Sequence, residues 1–468
     1  MIAGGQGSKR DGHRAVEAVW RIESARLVAG LARITGDVGS AEEFAQDALV
    51  AALEEWPRDG IPPNPAGWLM TTAKNRAIDT FRRQAVHRKA MTTIGREASE
   101  VLDQRELVDE ALDDPIGDEV LRLLFTACHP VLPLDSRVAL TLRCLAGLRT
   151  DEIGRAFLVA ESVAGQRVSR AKKILKDRGI AFKMPAPQDL QGRLAAVLEV
   201  IYLVFNEGYS ATAGDDWMRP ALIQEAMRLG RLVAELMPNP AETNGLVALM
   251  ELTASRQPAR TGHDGEPVLL PDQDRRRWDR LLIRRGLAAL DRAHRSEDPA
   301  GAFTLQAAIA ACHATADSWQ DTDWQEIAEL YGVLAEVWPS PVVEVNRAMA
   351  VGMASGPQAG LDQLADRLGP GVLVDYPQLP AVRGDLLARQ GRTADAAEQF
   401  RIAARLTRNG PERRLFERRA AELAVPPISI LPVIPSSEST ETATSAQENG
   451  PLEKGMRDGV GVTTVRDR

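Results

Sequence analysis

Aromatic residues make up only 4% of this 468-residue chain. Its cores must therefore be filled by Leu, Ala and Val, the residues of closely packed helices. Cysteine is almost absent: Cys128, Cys144 and Cys312 are odd in number and far apart, which excludes a disulfide framework and fits a reducing, cytoplasmic setting. No apolar run is long enough to span a bilayer. The opening MIAGGQGSKRDGHR lacks the apolar segment of a signal peptide, so no membrane partner is expected. A global excess of positive charge is missing too. The net charge is −8, which argues against a uniformly basic nucleic-acid binder but not against one whose charge is segregated along the chain.

Catalytic signatures are also missing. There is no Gly-rich phosphate loop, nucleophile elbow, His-x-x-x-His or cysteine pair, so no enzyme, no metal site and no cofactor is expected. Cys128-His129 and Cys312-His313 are neighbours in sequence, which on a helix points the two side chains about a hundred degrees apart. One polar cluster remains, Asn206-Glu207-Gly208-Tyr209 with Asp215, Asp216 and Arg219. It reads either as a site or as helix capping with a buried ion pair.

What the chain has instead is charge sorted by position. Residues 148–178, LRTDEIGRAFLVAESVAGQRVSRAKKILKDR, read as two short helices with a tight turn. Thr150, Asp151 and Glu152 are a helix start, a hydroxyl cap followed by acids near the positive end of the helix dipole. Leu148, Ile153, Ala156 and Phe157 form an apolar side. Leu158-Val159-Ala160 interrupts, and Glu161-Ser162 opens a second helix with Val163, Val168, Ala171, Ile174 and Leu175 on its apolar face. Gln166, Arg167, Arg170, Lys172, Lys173 and Lys176 lie largely outside that face. Six basic residues stand against one acid from Ser162 to Arg178. A hairpin that hides one face and shows a basic helix is a helix-turn-helix, whose second helix enters the major groove. The competing reading is an amphipathic hairpin with a solvated basic face.

Two more helices stand upstream. In residues 41–56, Phe44, Ala48, Leu49, Ala52, Leu53 and Trp56 face inward, while Glu42, Glu43, Gln46 and Asp47 face out. After a loop with Pro57, Gly60, Pro62, Pro63 and Pro65, residues 66–85 carry Trp68, Leu69, Ala73, Ala77, Ile78 and Phe81 on one side. Lys74, Arg76, Arg82 and Arg83 make the other side basic, with six Lys/Arg and the single acid Asp79 between Trp68 and Ala90. A basic helix beside a stiff loop suits single-stranded DNA, where phosphates steer and pockets hold flipped bases. Asp79 with Arg82 and Arg83 also reads as plain helical ion pairing, and Trp68 as core.

Residues 91–119 carry ten acids and two basic residues, a solvated spacer between two basic modules. The segment KMPAPQD (183–189) marks a boundary. Beyond it the chain is helical, with breaks at Pro238-Asn239-Pro240 and at the long Gly/Pro/Asp loop 257–275. Residues 340–423 read as helical hairpins about 35 residues apart, close to a tetratricopeptide period, with Ala396-x-x-x-Phe400 and Ala403 matching part of that repeat's packing pattern. The Ser/Thr/Glu/Gly/Pro-rich end is expected to be disordered.

These elements together resemble a known family. Ala41-Glu42-Glu43-x-x-Gln46-Asp47 is similar to the acidic helix by which sigma factors of the extracytoplasmic-function (ECF) type dock on core RNA polymerase. Trp68-Leu69 through Asn75-x-x-x-Asp79-x-x-Arg82-Arg83 is similar to their −10 element helix. Glu152-Ile153, Phe157, Glu161 and Arg167-x-x-Arg170-Ala171 resemble their −35 helix-turn-helix. Leu158 and Ala160 depart from it, standing where the family usually has a turn glycine and a Ser or Thr cap. The extension, with YLVFNEGYSA (202–211) and SPVVEVNRAMAV (340–351), resembles a subgroup with a large helical C-terminal domain.

The resemblance implies an all-α protein. A disordered leader (1–13) precedes sigma region 2 (14–90), an acidic linker (91–118) and sigma region 4 (119–182). A helical extension with a tetratricopeptide-like end (190–423) and a disordered tail (424–468) follow. It implies polymerase contacts at Glu42, Glu43, Gln46 and Asp47. Its −10 contacts would be Trp68, Lys74, Asn75, Arg76, Asp79, Arg82 and Arg83, and its −35 contacts Ser162, Gln166, Arg167, Arg170, Lys172 and Lys173. The implied partners are core RNA polymerase and promoter DNA, with the extension packed on the sigma modules and modulating them. The alternative is a helix-turn-helix regulator or scaffold with a tetratricopeptide-like domain and no polymerase contact. The acidic and basic helices over residues 41–83 separate the two readings, since a simple regulator needs neither.

Overall fold

The computed structural model of the protein describes residues 4–91, 116–157 and 159–424. The first layer is three helices, α1 (Gly4–Thr35), α2 (Val38–Asp59) and α3 (Pro65–Met91). Asp37 caps α2, accepting from the backbone of Ser40 at 2.8 Å and Gly39 at 3.3 Å. This cap starts the helix at Val38, ahead of the start expected at residue 41, because a carboxylate there satisfies otherwise orphaned amides. The leader expectation is corrected over residues 4–13, which continue α1; propagating a helix from a packed turn costs little once it is nucleated.

The segment expected as region 4, and called so below, contains α4 (Ile116–Ala127), α5 (Leu134–Cys144), α6 (Thr150–Ala156) and α7 (Glu161–Asp177). The α6–turn–α7 pair is the helix-turn-helix read from sequence. Its cap differs from expectation. Arg149 is the N-cap, and its amide donates to Glu152 Oε2 at 2.8 Å, while Thr150 is already helical and its hydroxyl donates to Glu161 Oε1 at 3.2 Å. Glu152 three residues into the turn satisfies the amide that a hydroxyl cap leaves open. On α7 the buried stripe is Ala164, Val168, Ala171 and Leu175, spaced four, three and four apart. Val163, read as apolar-face, is exposed instead, since the buried stripe runs through its neighbour Ala164 at that turn. Leu158 lies outside the described residues.

The extension starts with α8 (Pro187–Tyr209), α9 (Pro220–Leu236), α10 (Ala241–Ala254), α11 (Arg280–His294), α12 (Ala302–Thr315) and α13 (Trp324–Val337). Its end consists of α14 (Pro341–Ser355), α15 (Pro357–Arg367), α16 (Gln378–Arg389), α17 (Thr393–Leu406) and α18 (Gly410–Ala424). Proline opens α8, α9, α14 and α15, where its missing N–H costs nothing. The α14–α15 pair approaches closely at Gly360, where a Cβ would stand 2.6 Å from the Ala348 carbonyl; only glycine fits. Phe400, fully buried on α17, packs with Ala381, Ala403 and Phe416, so the tetratricopeptide-like Ala396/Phe400/Ala403 pattern is core.

One pairing has no local signal. β1 (Ala213–Gly214) and β2 (Arg408–Asn409) pair in parallel, joining the start of the extension to its end. Asn409 Nδ2 donates to the carbonyls of Ala211 at 3.0 Å and Asp216 at 2.8 Å. A continuous apolar core runs from Trp20, Val28 and Leu31 of α1 through Phe125 and Leu140 of region 4 to Ile201, Phe205 and Ile223 of the extension. Among the described residues no helix is long and apolar enough to cross a membrane. The acidic linker falls on residues 92–115 outside the described set, although its last residues begin α4. The tail beyond Ala424 also lies outside it.

Candidate polymerase and DNA interface

The acidic face of α2 is only partly outward. Glu43 is 73% exposed and Asp47 55% exposed, one turn apart, and Gln46 is half-buried beside them. Glu42, expected on the same outer face, is 3% exposed. Its Oε1 accepts from Arg143 Nε at 2.6 Å and its Oε2 from Lys172 Nζ at 2.5 Å. The reason is tertiary: Gly39 and Ala41 leave no side-chain bulk on this turn of α2. A Cβ on Gly39 would stand 3.6 Å from Lys172 Cβ, so α7 lies directly against it. Asp37 takes part as well. Burial would raise its pKa, but hydrogen bonds from Ser40 and Gly39 and the charge of Lys176 on α7 outweigh that and hold it below the usual carboxylate range.

On α3 the basic side chains are outward. Asn75, Arg82 and Arg83 are exposed, and Lys74 and Arg76 half-buried. Arg76 lies 3.6 Å from Asp47 and Arg82 4.0 Å from Asp79, while Arg83 Nε donates to the Asp79 carbonyl at 3.3 Å. Trp68 is half-buried, edge-to-face on Trp56 with centroids 5.5 Å apart, so one face of its indole is committed to packing.

On α7, Ser162, Gln166, Arg170 and Lys173 are exposed. Two expected DNA contacts are not displayed. Lys172 is 17% exposed and turned to Glu42, and Arg167 pairs with Asp135 of α5 at 3.2 Å. Their positions relative to the α7 stripe predict an outward face; the carboxylates of α2 and α5 capture them.

The extension reaches region 4 through three arginines that sequence reasoning did not single out as a set. Arg193 of α8 donates to the Phe125 carbonyl in the last turn of α4. Arg228 of α9 donates to the Leu145 carbonyl, the C-cap of α5, at 2.7 Å. Arg219 donates to the Ala156 carbonyl, the last residue of α6, at 2.6 Å, to Ala213 O at 3.0 Å, and to Glu207. Each guanidinium thus meets the negative end of a different region 4 helix, where free carbonyls and the dipole favour a cation. The polar cluster at 206–219 is accordingly capping and ion pairing.

The cysteine–histidine neighbours are equally committed. Cys128 is buried, its Sγ 3.2 Å from Thr141 Oγ1, and burial pushes its pKa up to about 11. His129 Nδ1 accepts from Val131 N at 3.1 Å. His313 stacks on Trp319 and meets Trp324 edge-on.

With this geometry in place, relatives can be compared. The Sigma-70 region 2 family matches residues 22–86, covering the second part of α1, all of α2 and most of α3, and a family of unknown function, DUF6596, matches residues 193–294. An uncharacterized protein of Rhizobium meliloti is 41% identical over 410 residues, spanning 86% of this chain and 95% of that protein. The ECF RNA polymerase sigma factor SigX of Bacillus subtilis is 25% identical over 141 residues, 30% of this chain and 71% of SigX. The ECF RNA polymerase sigma factor SigG of Mycobacterium tuberculosis is 26% identical over 259 residues, 50% of this chain and 69% of SigG. No solved structure matches. The chain belongs to the ECF group of the sigma-70 family and carries a C-terminal extension.

Proposed function

We propose that this chain directs core RNA polymerase to specific promoters and initiates transcription there, with no covalent chemistry of its own. The observation that carries the reading is the order of exposed faces: Glu43 and Asp47 on α2, then Asn75, Arg82 and Arg83 on α3, then Gln166, Arg170 and Lys173 on α7. A rigid acidic row suits a basic groove on the polymerase. The α3 face suits the melted −10 strand, and the α7 face suits the −35 major groove. Binding to purified core RNA polymerase tests it. Wild type is expected to bind and the Glu43→Arg/Asp47→Arg double variant to lose binding. If wild type fails to bind and Glu42→Gln does not restore binding, the helix-turn-helix regulator reading replaces this one.

We further propose that the arrangement described is a resting form. Glu42 sits between Arg143 and Lys172, so neither Glu42 nor Lys172 is free for a partner, and promoter binding requires α2 and α7 to part. The three arginine contacts from α8 and α9 support a role for the extension in holding region 4 in this form. Removing residues 190–468 would expose the apolar surface that α8 and α9 cover, so Arg228→Ala is the cleaner probe. A change in promoter output at equal protein level supports the modulating role; unchanged output removes it.

A further inference from the structure

Six arginines fall between residues 275 and 285, RRRWDRLLIRR, against one acid, Asp279. They lie in the extension, outside every element assigned above to polymerase or promoter, on a chain whose net charge is −8. The segment is anchored from within. Trp278 is buried among Leu252, Ala259, Ile283 and Ala314. Arg275 turns inward, donating to the carbonyls of His313 at 2.6 Å and Ala316 at 2.7 Å, with its guanidinium 4.6 Å from the Trp278 ring. Asp279 uses its carboxylate as the N-cap of α11, accepting from Leu281 N at 2.8 Å and Leu282 N at 3.1 Å.

The outward arginines divide into two groups. Arg276 forks onto Asp274, both contacts at 2.9 Å, and Arg285 lies 3.5 Å from Glu251. Arg277, Arg280 and Arg284 are exposed, and none of the three forms an ion pair among the described residues. Arg280 and Arg284 stand one turn apart on α11, a rise of ~6 Å, with Arg277 just ahead of the helix and Leu281, 53% exposed, beside them. Anchoring of the frame by Trp278 and Arg275 means little further ordering is needed when a partner arrives. A guanidinium is a planar fork matched to phosphate oxygens, and several in a row suit a regular polyanion better than a single small anion.

We propose that Arg277, Arg280 and Arg284 form an additional DNA contact, holding backbone phosphates of the duplex without reading bases. Charge complementarity selects the partner: the rest of the chain is net acidic and repels DNA, so an unpaired arginine face is where a duplex gains most. The proposal rests on the reading that the protein works at promoters, and it adds a sequence-independent grip from the extension.

The test measures binding of the full chain to fluorescent duplex DNA over a range of salt. The comparison is wild type against Arg277→Gln/Arg280→Gln/Arg284→Gln and against the corresponding triple Lys variant. The Gln variant is expected to lose affinity equally on promoter and scrambled duplexes, and its log–log salt slope to become shallower by about 3, roughly one per phosphate released. The Lys variant keeps most of the slope. Melting temperatures within a degree or so of wild type exclude misfolding as the cause. An unchanged slope in the Gln variant overturns the proposal. So does loss of core polymerase binding with DNA binding intact, which would mean that the face docks on an acidic protein surface. Failure of the promoter reading shows separately, as a wild-type chain that prefers no promoter duplex over a scrambled one.

Discussion

The two basic helices, α3 and α7, spend their charges differently. On α3 the ion pairs are local and loose: Arg76 to Asp47 at 3.6 Å and Arg82 to Asp79 at 4.0 Å, all four side chains 41–66% exposed. Such pairs are worth about 0–1 kcal/mol and yield readily to phosphate. On α7 the pair that matters crosses between modules. Lys172 and Arg143 clamp Glu42 at 2.5 and 2.6 Å with 3% of Glu42 exposed. A carboxylate so enclosed is held by geometry, and removing one partner strands the others. The contrast teaches that a positive helix face is not by itself a DNA-binding face. What decides is whether the carboxylates nearby belong to the same surface or to a second module pressed against it.

The largest test of that contrast is Glu42→Gln. It should cost about 3–5 kcal/mol of stability in the closed arrangement, the price of leaving buried cations unpaired. Denaturant unfolding would read that loss, and affinity for a −35 duplex should rise as Lys172 is released. A variant as stable as wild type, with the same affinity, would show that Glu42 clamps nothing. A gentler break is Arg170→Ala, on the exposed side of α7. If Arg170 reads a base, binding to the −35 duplex should weaken by about 1–3 kcal/mol, and the loss should depend on one base pair. Equal weakening on every sequence would make it a phosphate contact.

Acid separates region 4 from α3 in another way. Burial, helped by the charge of Arg193, lowers the pKa of His129 to about 4, well below the ~6.5 of an unfolded histidine. The unfolded chain therefore takes up the proton first. Stability from the neutral ring is complete above pH ~6.5 and is lost as pH falls toward 4. Region 4 should loosen in that window, seen as faster hydrogen exchange in α4 and α5 with α3 less affected, and His129→Gln should flatten the response. The smallest effect belongs to Asp79→Ala on α3. Its exposed pair predicts a stability change of at most about 1 kcal/mol; a larger loss in thermal melting would contradict the picture of Asp79 as an exposed carboxylate in a loose helical pair.

Much of this architecture was legible locally. The helix-turn-helix appeared because Ile153, Val168, Ala171 and Leu175 keep helical spacing on either side of an interruption, and the Ala396/Phe400/Ala403 pattern marked packed helices near the C-terminus. Glu42 was misread because its neighbours Glu43, Gln46 and Asp47 suggest a uniform polar row. Nothing in that row says that α7 lies against one end of it. The arginines at 193, 219 and 228 were not grouped, because their partners are backbone carbonyls of other helices, which every residue possesses and no motif marks.

By itself the sequence determined an all-helical chain and the order of an acidic helix, a basic helix and a helix-turn-helix. These follow from periodicity and residue type, which act over a turn or two of helix. Only the tertiary structure decided which of the charges are free. It closed Glu42 onto Arg143 and Lys172, aimed three extension arginines at the ends of region 4 helices, and left Arg277, Arg280 and Arg284 facing outward. The physical reason is that a charge's role is set by what comes within about 4 Å of it, and here those neighbours are often more than a hundred residues away in the chain.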